Sequence, residues 1–275
     1  HAARILAAMF MLWAIWRFLQ IIFRQEAVLI PSAFMLVTFG SGMGWLFSPL
    51  LGVTSDFWVA EAYPFLSGYV NPHFPLGIGL IMLILIQTYQ TMSWKLKLSL
   101  LLEGILLSII MPFGIVVLAV ILVGRIFWYG WHVKKWQVEL AIWPLLAGGG
   151  FLLYQFIAIQ TDPVLSQWNS QNITVSPPLW DYLVSFSPVL LLAVIGIIRL
   201  GKGDKPSEWR LVMGWMVLGT VLILIPFSLQ RRFLLAYYIP LALLAVLYLG
   251  HLKPSRRKWI FPLLLILSIG SNGVV

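Results

Sequence analysis

Apolar runs of about 20 residues alternate with short stretches that carry Lys, Arg or Pro, from one end of the chain to the other. The pattern predicts ten helical spans, at residues 5–23, 29–48, 74–92, 98–111, 113–130, 138–160, 181–200, 210–229, 234–250 and 259–275. About 20 residues of helix cross the hydrocarbon core of a bilayer. The fourth run is short and ends in "IIMPFG". Pro112 has no N–H and disfavours helix in the residue before it, which predicts either a tight hairpin with its tip at Met111–Gly114 or one kinked helix.

Composition agrees with a bundle in lipid. The chain is 61% hydrophobic and 10% charged, whereas a soluble domain carries about 25% charged residues. The reading is an all-α polytopic bundle forming one transmembrane domain, 1–275, with the lipid bilayer as its first partner. The net charge of +9 does not indicate nucleic acid, because the cations sit in short loops rather than on one basic face. The absence of cysteine excludes disulfides and thiol chemistry. The four histidines show no metal-ligand spacing, so no metal ligands are assigned and no cofactor is indicated. There is no P-loop pattern for an ATP-driven pump. The sequence starts at His1 and stops inside an apolar run, so it reads as a piece of a longer protein with an N-terminal part missing.

Positive charge gives the sidedness, since Lys and Arg collect in cytoplasmic loops. Arg17 and Arg24 flank the first connection, Lys95 and Lys97 the third, and Arg125, Lys134 and Lys135 the fifth. Lys202, Lys205 and Arg210 flank the seventh, and Lys253, Arg256, Arg257 and Lys258 lie in the ninth. Odd connections are therefore inside and even ones outside. The eighth breaks the pattern by placing Arg231 and Arg232 on the outer face. Two readings are open: both arginines reach headgroups at the interface, or their guanidinium forks form an anion site.

The long outer connection "GVTSDFWVAEAYPFLSGYVNPHFP" mixes Asp56 and Glu61 with Phe57, Trp58, Tyr63, Phe65 and Tyr69, a composition suited to a segment on the membrane surface. Either carboxylate is a candidate general base, though a spacing of five puts them on different helix faces. His73, after Pro72, is a candidate cap or site residue. The second outer loop places Trp168 among amides, including Asn169 and Asn172, a grouping that can hold sugar hydroxyls or cap turns. Gln230 adjoins the arginine pair and joins the candidate binding set. The small residues of "GSGMG" (Gly40 to Gly44) and Gly148 to Gly150 read as helix-packing points.

Four stretches, "GSGMGWL", "SDFWVAEAYPFLSGYVNPHFPL", "TDPVLSQWNSQNITVSPP" and "FSLQRRFLLAYYIPLALLA", resemble a group of bacterial polytopic proteins related to the GT-C glycosyltransferases. That superfamily includes protein mannosyltransferases and enzymes that decorate lipid A. The resemblance implies a GT-C-like bundle in the bacterial cytoplasmic membrane that transfers a sugar from a polyprenyl-phosphate donor at the outer face. It also implies that the superfamily's acidic motif, in the first outer loop, lies upstream of His1. Met111-Pro112 stands where related sequences carry His-Pro at the hairpin tip. The alternatives are a transporter or flippase of lipid-linked substrates and a non-catalytic assembly subunit.

Overall fold

The structure, a computed structural model, describes residues 1–129, 135–200 and 207–274. Lys134, Lys202 and Lys205 lie outside the described residues. Among the described residues every regular element is a helix: α1 (Ala2–Ile22), α2 (Ile30–Phe39), α3 (Gly44–Leu51), α4 (Pro64–Val70), α5 (His73–Gln87), α6 (Trp94–Ile110), α7 (Pro112–Tyr129), α8 (Lys135–Thr161), α9 (Pro163–Gln171), α10 (Leu179–Ser185), α11 (Val189–Leu200), α12 (Ser207–Leu224), α13 (Tyr238–Gly250) and α14 (Pro254–Val274).

Each of the ten predicted runs contains helix, but fewer meet the test for a full crossing. Four helical runs are long and apolar enough: Ala2–Ile22, Ala27–Leu51, Trp136–Thr161 and Gln230–Gly250. The bent pair Leu179–Ser185 and Val189–Arg199 is a fifth if taken as one. The helices α5, of 15 residues, and α6, of 17, fall below the ~20 residues of a crossing.

The core runs down the middle of the bundle. The main helix pairs are α1 with α5, α6 with α8, α7 with α12 and α11 with α13. All but two residues of α13, Tyr248 and Gly250, are buried, so it is a central helix, apolar on every side. Glycines set the closest approaches. A Cβ on Gly214 would meet the Gly124 carbonyl oxygen at 2.4 Å, so α7 and α12 touch backbone to backbone.

Met111 breaks the fourth run with φ −152° and ψ 78°. The result is a hairpin. A Cβ on Gly148 would meet both the Gly104 carbonyl and Ile115, residues that one continuous helix would hold about 16 Å apart.

Two helices predicted as continuous are broken. The run 29–48 opens at Gly40–Met43, between α2 and α3. The run 181–200 opens between α10 and α11, which meet at 90°. The two breaks face each other, since Met43 N–H donates to the Val184 carbonyl at 3.3 Å. A Cβ on Gly42 would sit 2.0 Å from the Ser185 carbonyl oxygen. Glycine is required there because the opposing backbone fills the space of a side chain.

The even connections converge at one end of the bundle. The Glu61 carbonyl accepts from Ala236 N–H at 2.8 Å, and the Thr174 carbonyl accepts from Arg231 N–H at 3.1 Å. The hairpin tip joins them through Phe113, whose ring lies under Arg232. Arg17, Arg24, Gln90 and Glu208 gather around one cavity at the other end. The arrangement matches the charge pattern that assigned odd and even connections to opposite sides.

Candidate functional site

The segment 54–63 does not lie on the surface. It folds into the bundle, and Thr54, Ser55, Asp56, Val59, Glu61 and Tyr63 are buried. This corrects the expectation from its composition. Only Trp58 of the segment keeps a large exposed ring, at 44%.

Burial of Asp56 is made possible by hydroxyls from distant elements. Its Oδ1 accepts from Thr54 Oγ1 at 2.6 Å and from Ser185 Oγ at 3.2 Å. Its Oδ2 accepts from Gly44 N–H at 2.9 Å and from Ser271 Oγ. Asp181, which was not singled out in the sequence, accepts on Oδ1 from Ser55 N–H, Ser55 Oγ and Ser185 Oγ at 2.9, 2.7 and 2.6 Å. Ser185 therefore bridges two buried carboxylates, and Tyr63 Oη donates to the Ser185 carbonyl at 2.6 Å. The network ties both helix breaks to the C-terminal end of α14. A buried charge is tolerable when hydrogen bonds surround it, and Asp56 accepts from Thr54, Gly44 and Ser271 while sharing the single Ser185 proton with Asp181. Its placement is that of a positioning group.

Glu61 is placed differently. Its side chain is 4% exposed, and its Oε1 lies 3.9 Å from Arg231 Nη2 and 3.7 Å from Arg232 Nη1. Both distances are too long for hydrogen bonds. Each guanidinium lies over a ring: Arg231 over Trp58 at 5.1 Å and Arg232 over Phe113 at 5.4 Å. Such contacts are worth about 0.5–2 kcal/mol and hold the planar groups in place without using their N–H donors. Arg231 Nε is buried with no hydrogen-bond partner among the described residues. The arginine side chains are about a quarter exposed, at 25% and 27%, so the site opens to the surface at this end of the bundle.

His73 begins α5 at this rim. Burial lowers its pKa from the ordinary 6.5, and the charge of Arg232 lowers it further, against an opposing effect of Glu61. Two arginines face one carboxylate here, a formal surplus of +1.

Glu61, Arg231, Arg232 and His73 are thus brought together, with Trp58 and Phe113 as the rings beneath. Gln230 is used otherwise: its Nε2 donates to the Ile223 carbonyl at 2.7 Å and caps the end of α12. Trp168 and Asn169 lie on α9, a helix with no buried residue that is started by Asp162, which accepts from Val164 and Leu165 N–H. Asn172 Nδ2 donates to the Trp168 carbonyl at 3.1 Å and closes that helix. The amide-rich loop meets the arginine segment through backbone, in the Thr174 bonds to Ser228 and Arg231.

Phe113 carried a signal in the sequence, as the residue after the proline at the hairpin tip. Asp181 and Ser185 carried a weaker one, a polar pair at helical spacing inside an apolar run. No metal-binding group of three or more His, Cys, Asp or Glu occurs among the described residues. No family model, curated protein or solved structure matches the chain.

Proposed function

We propose that the protein is a multi-pass protein of the bacterial cytoplasmic membrane that holds the phosphate of a polyprenyl-phosphate sugar donor at its outer face and transfers the sugar. One observation carries this reading: two guanidinium groups share a single Glu61 oxygen beyond hydrogen-bond distance, which leaves a surplus positive charge, and Arg231 Nε has no hydrogen-bond partner among the described residues. Guanidinium forks match phosphate oxygens in pairs and stay charged at every physiological pH. In transfer, they stabilise the phosphate as it leaves. Glu61 is the proposed proton acceptor for the incoming hydroxyl, because it is the carboxylate at the arginines. His73 supplies a donor or acceptor at the rim.

The test is turnover. Purified protein in detergent is mixed with a polyprenyl-phosphate sugar and a hydroxyl acceptor, and release of free polyprenyl phosphate is measured. Release that Arg232→Gln abolishes supports the reading. Binding without release would reduce it to donor recognition.

A second reading has its own support. Two broken helices meet at Asp56 and Asp181, and discontinuous helices at a polar centre are a device of secondary transporters. Movement of a lipid-linked substrate without chemistry would favour it.

A further inference from the structure

The opposite end of the bundle holds a cavity of about 600 Å³ lined by Arg17, Gln20, Arg24, Tyr89, Gln137 and Glu208, among others. Volumes of roughly 300–1,000 Å³ are those of small-molecule sites. Two arginines and several amides supply N–H donors, and Glu208 is the carboxylate among the lining residues.

A third arginine lies behind the wall. Arg125 of α7 is 2% exposed. Its Nη1 donates to Thr88 Oγ1 at 3.0 Å, and its guanidinium stacks on Tyr89 at 4.4 Å from the ring centroid. The Nε and Nη2 atoms are buried and have no hydrogen-bond partner among the described residues. Arginine cannot shed its proton, and an uncompensated buried charge is costly unless an opposite charge comes near. The ring under Arg125 is the one that lines the cavity, so the fold leaves a net positive field facing an open, donor-lined space.

We propose that this cavity is a second anion site, which takes a phosphate-bearing ligand at the end where the Lys and Arg collect. Phosphate fits better than a lone carboxylate. Arg17 and Arg24, with Arg125 behind them, outnumber Glu208 even when Glu26 of the adjoining cavity is counted, and two exposed forks with amides around them suit an anion with three or four oxygens. The phosphate belongs either to a soluble ester or to an anionic lipid headgroup. The proposal does not depend on the outer arginines.

The absence of native cysteine gives a site-specific probe. Gln90 lines the cavity and is exposed, so Gln90→Cys reports occupancy through its rate of thiol labelling. One arm titrates inorganic phosphate against chloride at matched ionic strength. The other compares nanodiscs of phosphatidylglycerol with nanodiscs of phosphatidylcholine. The expected result is labelling slowed about tenfold in at least one arm, corresponding to a site mostly filled at the probe concentration used. Protection by phosphate assigns a soluble ester, and protection by phosphatidylglycerol assigns a headgroup. Adding Arg17→Gln and Arg24→Gln should remove the protection. Unchanged labelling in both arms, or protection that survives loss of both arginines, would overturn the proposal.

Discussion

Arg232 holds its Nη1 3.7 Å from Glu61 Oε1, and Arg231 approaches the same oxygen from 3.9 Å. One carboxylate thus restrains two cations without a hydrogen bond to either. It competes with any anion that enters. Glu61→Gln should therefore raise affinity for polyprenyl phosphate while lowering sugar transfer, because the competitor and the proton acceptor are lost together. A gain of about tenfold in affinity corresponds to about 1.4 kcal/mol. Isothermal titration alongside turnover separates the two effects, and a parallel loss of both would contradict the assignment.

Asp56 should behave as a structural residue. Asp56→Asn replaces one acceptor oxygen by an amide nitrogen that must face N–H and hydroxyl donors. The expected cost is about 2–4 kcal/mol, in the range for breaking buried polar networks. Thermal unfolding should show the loss, and whatever fraction stays folded should bind donor as the native chain does.

The glycine break makes a separate prediction. Gly42→Ala would put a methyl 2.0 Å from the Ser185 carbonyl oxygen, and Gly44→Ala one 2.0 Å from Thr54 Oγ1. Each should destabilise by about 1–3 kcal/mol, as overpacking does. Gly149→Ala, with open space around it, should cost nothing and is the control for the unfolding measurement.

His73 links the site to pH. Its folded pKa lies below the ordinary 6.5, so the unfolded chain binds the proton first as pH falls. Its contribution to stability is complete above that ordinary value, declines as pH falls below it, and levels off below the folded pKa. His73→Gln should flatten that part of the unfolding profile. An unchanged slope would place the titrating group elsewhere.

Sidedness can be read with single cysteines. Ser170→Cys on exposed α9 should react with an impermeant reagent from outside intact cells, and Ser255→Cys at the start of α14 should not. The reverse pattern would contradict the placement of the arginine site on the outer face.

The helices were legible because apolar runs of bilayer length leave few other options, and the grouping of alternate connections at opposite ends of the bundle was legible because Lys and Arg occupy every second one. The pairing of Arg231 and Arg232 with Glu61 was only half visible: the charges were evident, but their approach depends on the Ala236 N–H bond to the Glu61 carbonyl, far away in sequence. The segment 54–63 misled for a related reason. Acidic and aromatic residues together suit a surface, and what buries them here is a set of hydroxyls from α10 and α14, including Ser271, 215 positions from Asp56. The small residues at Gly40–Gly44 were read as helix-packing points, and Gly42 does pack against backbone, but the break between α10 and α11 that supplies the Ser185 carbonyl has no local signature.

The central claim is that the outer arginines grip a phosphate through fork geometry, and affinity of the lysine variants tests it most directly. Polyprenyl-phosphate binding is measured on wild type, Arg232→Lys, Arg232→Gln and Arg231→Lys in one detergent, with unfolding followed in parallel. The account predicts folded variants whose affinity falls from wild type to Lys to Gln, because an ammonium keeps the charge and loses the paired planar contact. Equal affinity for wild type and both lysine variants would contradict it, leaving two arginines that merely reach the headgroups.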